Sequence, residues 1–351
     1  MTAIAPAPLP GTAQRPPSGR RHRVFSGIQP SGNFHIGNYL GAIRNWVAQQ
    51  ATDDSIFCIV DLHALSLPTS SAGLRGNTLA LANVLLAAGI DPTQSILFVQ
   101  SDVREHTELS WMLNSVTQVG ELRRMIQFKE KSAGHGESVS AALFDYPVLQ
   151  AADIILYDTD LVPVGEDQRQ HIELTRDITE RFNARYGQTF VLPKADIKPA
   201  GARIMGLDDP TKKMSKSSSV AHSYIALSDD TDTIRRKFRR AVTDSGSTVT
   251  AGADKPALTN LLTIYSLFSE EAIPAIAARY EGKGYGAFKQ DLGDVVADAL
   301  APIQQRLSEL TDDPTIAPAA LAAGAERARS IAAAKMADVR ERMGLGLPLP
   351  R

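Results

Sequence analysis

Val24-Phe25-Ser26-Gly27-Ile28-Gln29-Pro30-Ser31-Gly32-Asn33-Phe34-His35-Ile36-Gly37-Asn38-Tyr39-Leu40 begins as a short apolar run, breaks into small residues and restarts with a different period. From Leu40 onward, Leu40, Ile43, Trp46 and Val47 recur at helical spacing, so the stretch reads strand, loop, helix. The loop sits where the helix begins. Gly27, Gly32 and Gly37 allow close approach or unusual dihedrals, and the free N–H groups of a helix start favour an anion. Such a turn is either a phosphate cradle or simply a tight turn.

Outward from it the pattern repeats. Ile56 to Val60 reads as a buried strand, Pro68 to Gly76 as a polar turn, Leu79 to Leu86 as a helix closed by Gly89 and Pro92, and Ile96 to Val99 as another strand. Strands alternating with helices predict an α/β fold with a parallel sheet covered on both faces. Ligands of such sheets lie beyond the carboxyl ends of the strands, so Gln29 to Ser31, Asp61 to His63 and Gln100 to Asp102 are expected to converge.

Helices are expected over Glu105 to Thr117 and Glu121 to Phe128, with a polar loop from Lys129 to Ser140 whose lysines face phosphate or water. Pro147 fits the first turn of a helix running to about Tyr157, on which Tyr146, Gln150 and Asp153 share a face. A short strand, Leu161 to Val164, then leads through Gly165-Glu166-Asp167-Gln168 into a helix with Ile172, Ile178 and Phe182 inward. Farther on, Lys212-Lys213-Met214-Ser215-Lys216-Ser217-Ser218 gathers three ammonium groups and three hydroxyls into seven residues. That suits a polyphosphate whose charge moves during reaction, and equally a solvated basic loop.

From residue 222 to 305 the chain reads as helical with no convincing strand. Asp229, Asp230 and Asp232 precede Arg235, Arg236, Lys237, Arg239 and Arg240, placing acids at the positive end of a helix and bases toward its negative end. Ile234, Phe238 and Val242 form its apolar stripe, and the cations serve a solvated face or RNA phosphate. Gly282-Lys283-Gly284-Tyr285-Gly286 lacks a preceding strand and reads as an interhelical turn. Pro318 to Met343 is an Ala-rich helix studded with arginine.

The 351 residues suffice for a large core, and length suggests two domains. No apolar run is long enough to span a bilayer, so no membrane partner is expected. A net charge of −2 argues against indiscriminate coating of nucleic acid. The single cysteine, Cys58, lies within Ile56-Phe57-Cys58-Ile59-Val60 and reads as a buried reduced thiol. Residues 1–22, with five prolines and no acid, read as a disordered extension rather than an amphipathic transit peptide.

His35-Ile36-Gly37-Asn38 resembles the HIGH signature, and Lys213-Met214-Ser215-Lys216-Ser217 the KMSKS signature, of class I aminoacyl-tRNA synthetases. Within that class the chain resembles the tryptophanyl-tRNA synthetases through Phe25 to Gly32, Gly37-Asn38-Tyr39, Gln127 to Gly134, Ala151-Ala152-Asp153-Ile154, Val162 to Gln168 and Gly201-Ala202-Arg203-Ile204-Met205. Asn38 stands where the general signature has its second histidine, as it does in tryptophan enzymes; His35 matches the first, where they often carry threonine. Whether His35 assists pyrophosphate departure or caps the helix stays open.

The resemblance implies a Rossmann-like doubly wound parallel sheet with a smaller all-helical domain. It divides the chain into a catalytic domain at 23–208, on which the helix 318–343 packs back, and a helical anticodon-binding domain at 209–305 that includes the lysine-serine loop. It further implies activation of L-tryptophan by ATP and transfer to tRNA(Trp) by a cytoplasmic homodimer. ATP contacts would come from Gln29, Pro30, Ser31, Gly37, Asn38, Gly165, Glu166, Asp167, Ile204, Lys213, Met214, Ser215, Lys216 and Ser217. Of these Gln29, Asn38, Lys213 and Lys216 would act in catalysis. Tryptophan would be held by Asp153 at its indole N–H, by apolar walls from Phe25, Gly27, Val162 and Val164, by the polar frame of His63, Tyr146 and Gln168, and by Gln150, where related enzymes often place methionine. Mg²⁺ would arrive on the nucleotide, since no carboxylate cage is evident. The ionised substrate carboxylate needs no general base. Tyrosyl-tRNA synthetase, a small-molecule nucleotidyltransferase and a silent paralogue are the rivals; the stretches around Asp153 and Glu166, the helical module and the intact lysine-serine loop argue against them in turn.

Overall fold

The computed structural model describes residues 21–30, 32, 34–66, 70–132, 139–197, 203–215, 220 and 222–346. Five parallel strands form one sheet in the order β3-β2-β1-β4-β5. They are β1 (Arg23–Ile28), β2 (Asp54–Ile59), β3 (Ile96–Val99), β4 (Leu161–Pro163) and β5 (Lys194–Asp196). Strand order reverses between β1 and β4, which opens a crevice beyond their carboxyl ends. The short edge strand β5 carries little apolar signal and escaped the sequence reading.

The first crossover is helical from Ile36 to Gln49: α1 (Ile36–Asn38), a π turn over Tyr39–Ile43, and α2 (Arg44–Gln49). After β2 come α3 (Asp61–Ala64) and α4 (Ser71–Ala87). Ser70 caps α4 by accepting the Gly73 N–H, so the expected polar turn from Pro68 to Gly76 is already helix from Ser71. After β3 follow α5 (Glu105–Asn114), α6 (Val119–Arg124), α7 (Ile126–Ser132) and α8 (Ala141–Ile155). An extended Met125 breaks α6 from α7, so the single helix expected over Glu121 to Phe128 is two, and α7 enters the expected loop as far as Ser132. Pro147 lies inside α8 rather than in its first turn. The cap is Ser140, whose hydroxyl accepts the Leu143 N–H at 3.2 Å and starts the helix ahead of the proline. α9 (Arg169–Tyr186) buries Ile172, Ile178 and Phe182.

Then come α10 (Thr231–Arg240), α11 (Pro256–Ser269), α12 (Ile273–Arg279), α13 (Gly284–Asp312) and α14 (Ile316–Met343). α10 ends before Val242, which is exposed, so its buried stripe is Ile234 and Phe238. Gly282, in the turn before α13, and Gly284, its first residue, take positive φ, so the interhelical turn expected over Gly282 to Gly286 is already helix from Gly284. No single helix among the described residues is long and apolar enough to cross a membrane.

Strand alternation separates two cores. Phe57, Ile59, Leu97 and Val99 pack with α1, α2 and α4, and this core runs without interruption into Ile234, Phe238, Leu261 and Val296 of the helical module. Phe25, Ile56, Cys58, Ile96, Phe98 and Val162 face the other way, against α5, α8 and α9. The helical module therefore shares a core with the sheet, and α13 continues to Asp312, past the expected boundary at 305. The boundary expected at 208/209 also falls within a small hairpin: Met205 bridges Lys213, Gly206 N–H reaches Lys212 O at 2.8 Å, and Met214 N–H reaches Ile204 O at 3.0 Å.

α14 wraps the sheet's edge at β3. Leu321 belongs to the first core and Ala325, Ala328, Ala332 and Met336 to the second, with Gly324 at the crossing. A Cβ at Gly324 would collide with the Leu97 carbonyl oxygen, so only glycine lets the helix backbone lie this close. Arg327 donates to the carbonyls of Pro92 and Ser95, Arg329 to that of Asp102, Lys335 to that of Thr189, and Arg340 pairs with Glu108. The cations of this helix fasten it to the sheet domain. At the other end of the described chain, His22 O accepts the Asp54 N–H at 2.8 Å, so pairing begins inside the expected 1–22 extension; residues 1–20 lie outside the described residues.

Candidate active site

The crevice at the switch point is tied together by its own loops. Val60 N–H reaches Ile28 O at 3.0 Å, Ser101 donates to Asp61 through both N–H and hydroxyl, and Gln100 Oε1 accepts the Leu62 N–H at 3.2 Å. The three strand ends expected to converge do so. Gln29 is exposed at the end of β1, with Pro30 buried behind it. Across the switch point Gly165, Glu166 and Asp167 are exposed beyond β4; Glu166 pairs with Arg169 at 2.6 Å, and the Gln168 amide donates to Asp167 at 2.9 Å.

On the first-core side stand the two signatures. His35 Nδ1 accepts the Gly37 N–H at 3.1 Å and Asn38 Oδ1 accepts the His35 N–H at 3.2 Å, a reciprocal cap of α1. The His35 ring thus caps the helix through Nδ1. The segment after the lysine-serine loop returns to the same place, with Ile36 N–H on Ile225 O at 3.0 Å and Leu227 N–H on Phe34 O at 2.9 Å. Met214 is buried in the first core, and its Cβ stands 3.6 Å from where a Cβ of Gly37 would be. Lys213 and Ser215 are exposed on either side of Met214. Ile204 is buried, its carbonyl engaged by the hairpin, so its side chain serves the core. Ser31, Lys216 and Ser217 lie outside the described residues.

Asn260, on α11, fixes this hairpin to the helical module. Its Oδ1 accepts the Met205 N–H at 2.9 Å and its Nδ2 donates to Met205 O at 3.0 Å, so one amide pairs like a strand residue. The sequence reading missed it, although an asparagine among Leu258, Leu261, Leu262 and Ile264 is a lone polar group on an apolar face.

On the second-core side Ala151, Ala152, Ile154 and Ile155 of α8 share one buried cluster with Phe25 and Val162, with Val164 packed on it, and Asp153 of the same helix is buried too. Gly27 ends β1 with its backbone exposed and Val60 beside it. Gln150 and Tyr146 are half-buried on α8. The Tyr146 hydroxyl shares a hydrogen bond with His171 Nε2 at 2.8 Å, and burial pushes its phenol up to about 12, which keeps it a neutral hydroxyl.

Asp153 is 1% exposed. Its Oδ2 lies 2.8 Å from His63 Nε2, its Oδ1 2.6 Å from His106 Nδ1, and Gln100 Nε2 reaches both oxygens at 2.7 and 2.9 Å. Burial alone would raise this carboxyl; hydrogen bonds from His106 and His63 overcome that and hold it well below the usual carboxylate range. His63, expected among the groups framing the amino acid's polar end, hydrogen-bonds the expected indole partner through Nε2. Gln100 was expected at the crevice only as a strand end, and no role was expected of His106. The available signal was a histidine at the spacing of Leu109 and Leu113, the buried stripe of α5.

A doubly wound sheet, a capped glycine-bearing helix start at its switch point and a lysine-serine hairpin folded against that start define the nucleotide-binding half of a class I synthetase. The chain belongs to the family of class I tRNA synthetases for W and Y, whose model matches residues 17–301. Its relatives include tryptophan–tRNA ligases. That of Caldanaerobacter subterraneus subsp. tengcongensis is 52% identical over 324 residues, covering 92% of this chain and 98% of its own. That of Helicobacter pylori strain 26695 is 49% identical over 325 residues, covering 93% and 99%. Among solved structures, tryptophanyl-tRNA synthetase from Campylobacter jejuni, complexed with ADP and tryptophan, superimposes with a TM-score of 0.81 at 38% identity over 92% of this chain and 100% of that one. The Mycoplasma pneumoniae enzyme gives 0.82 at 34% identity, over 93% and 98%.

Proposed function

We propose that this chain joins L-tryptophan to ATP as tryptophanyl-adenylate, releasing diphosphate, and passes the aminoacyl group to tRNA(Trp), releasing AMP. The observation that supports the reading is the meeting of Met214 with Gly37, which brings together two signatures 177 residues apart (214 − 37). The tryptophan carboxylate oxygen attacks the α-phosphorus, the bond to the bridging oxygen breaks, and the electron pair leaves on diphosphate. The chain's task is positioning and charge stabilisation.

Gln29 to Ser31, Gly37 and Asn38 approach the phosphates from the helix start, while Lys213 and Lys216, with Met214, Ser215 and Ser217, follow the departing diphosphate. Gly165 to Asp167 and the backbone at Ile204 hold the nucleoside. Mg²⁺ arriving with the nucleotide would supply charge neutralisation at the phosphates.

Asp153 accepts the indole N–H. An indole offers one donor and no acceptor, so a buried carboxylate is satisfied by tryptophan and stranded by phenylalanine. Phe25, Gly27, Val162, Val164 and Gln150 enclose the ring, Tyr146 and Gln168 face the amino acid's polar end, and His63 supports Asp153. tRNA is held by Arg236, Arg239 and Arg240, which form no ion pair among the described residues, unlike Arg235 on Asp294 and Lys237 on Asp229. The enzyme is a cytoplasmic homodimer. Trp111, 80% exposed at the lining of a cavity of about 210 Å³, offers apolar surface that a second copy would cover.

Amino-acid-dependent exchange of pyrophosphate into ATP tests the reading. Exchange with tryptophan is the expected result; exchange with tyrosine and not tryptophan would overturn it.

A further inference from the structure

Two of the side chains on Asp153, Gln100 and His106, are wholly buried behind it, each 0% exposed. A carboxylate only accepts, so the nitrogen facing it must donate. In the neutral His106 ring the hydrogen therefore sits on Nδ1, which leaves Nε2 to accept from the Tyr157 hydroxyl, 2.8 Å away. Burial drives the Tyr157 phenol far up and keeps that hydroxyl protonated. Tyr157 thus selects the His106 tautomer. Gln100 is oriented the same way: its oxygen is taken by the Leu62 N–H, which turns its nitrogen to Asp153.

A carboxylate has about four lone-pair directions. His63 takes one on Oδ2 and His106 one on Oδ1, while Gln100 Nε2 divides its donation between the two oxygens at 2.7 and 2.9 Å, so that when Gln100 settles on one oxygen the other keeps a direction for the indole N–H. We propose that His106 and Gln100 are positioning residues for amino-acid choice: they pin Asp153 so that its remaining lone pair meets the indole N–H, with Tyr157 setting the tautomer that does so. The inference rests on the reading that Asp153 receives that N–H.

Pinning acts on rejection more than on affinity. When an isostere lacking the N–H fills the pocket, a pinned carboxylate cannot turn toward another donor, and one buried lone pair is left with only a share of the Gln100 donation. A loosened carboxylate can turn, so the wrong substrate gains more than tryptophan loses.

The experiment measures kcat/KM in pyrophosphate exchange for tryptophan and for 3-(benzothiophen-3-yl)alanine, in which sulfur replaces N–H. The proteins are wild type, Asp153→Asn, His106→Leu, His106→Asn and Tyr157→Phe. The preference for tryptophan should fall roughly tenfold or more in His106→Leu and several-fold in Tyr157→Phe, and recover in His106→Asn, whose amide can donate from near the Nδ1 position. KM for ATP should stay within about twofold, because the nucleotide signatures lie on the other face. A preference that collapses in Asp153→Asn but is unchanged in His106→Leu and Tyr157→Phe overturns the positioning role and leaves the indole contact standing. If it survives Asp153→Asn, the indole contact itself fails. Should His106→Leu not fold, Tyr157→Phe decides, since it keeps the ring stacked on Phe25 at 5.8 Å and edge-on to Phe98 at 6.0 Å.

Discussion

Replacing Gly37 with alanine asks whether the two signatures make one site. The added Cβ would lie 2.9 Å from His35 Nδ1 and 3.0 Å from Cε1, with Met214 Cβ at 3.6 Å. The imidazole has little room to retreat: His35 is 6% exposed, and Tyr224 stands 6.1 Å away, centroid to centroid. Relief requires the ring to give up the Gly37 N–H. Losing such a cap costs about 1 kcal/mol, and crowding a packed neighbour adds roughly 1–3 kcal/mol. A melting temperature several degrees lower is expected, at roughly 2–4 °C per kcal/mol for a domain of this size class. The same methyl enters the gap between α1 and the lysine-serine hairpin. With each 1.36 kcal/mol worth about tenfold in rate, kcat/KM for ATP in pyrophosphate exchange should fall between tenfold and a hundredfold, and KM for tryptophan should change less than about twofold. Wild-type melting and wild-type ATP kinetics together would refute the packing argument. Equal rises in both KM values would mean that the two faces of the crevice are not separable.

Gly324→Ala should lower the unfolding free energy from chemical denaturation by about 1–3 kcal/mol or more, because the methyl meets a strand carbonyl rather than a movable side chain; an unchanged midpoint would show that α14 does not need its close approach. Reversing Arg236 and Arg239 to glutamate should depress charging of tRNA while leaving pyrophosphate exchange intact, and should flatten the salt dependence of RNA binding by roughly 1.5 log units per log unit of salt. Equal loss of both steps would assign these arginines to folding. Asn260→Ala strips both Met205 backbone groups of their partner at a cost of about 1–3 kcal/mol. It should raise KM for ATP and spare tryptophan; a variant with unaltered ATP kinetics would mean that the hairpin holds its place unaided.

Much of the fold was legible because the first crossover, the β2 and β3 apolar runs and the amphipathic α9 follow simple periods, and their loops carry glycine where the chain turns sharply. What was not legible depended on partners distant in sequence. β5 has three residues and no apolar run, so only its pairing with β4 identifies it. Pro147 was read as a helix start because proline is favoured there, yet the Ser140 cap seven residues earlier outweighs it. The same holds at the site. Asp153 stood out as an acid among Ala151, Ala152, Ile154 and Ile155, but its companions arrive from three other elements at separations of 90, 53 and 47 residues. Periodicity within α5 reveals that His106 faces inward; it cannot reveal what His106 meets.

The wrapping of β3 by α14 has a bearing on how the protein is made. Synthesis runs from the N-terminus, so β3 and its open edge leave the ribosome more than 200 residues before the helix that covers it, Ile316–Met343. Until then the nascent chain carries a bare strand able to pair with a neighbour on the same message. The last helix is a closing step whose delay sets how long translation leaves the chain open to aggregation, and a premature stop shortly before it would yield a nearly complete catalytic half that never acquires its cover.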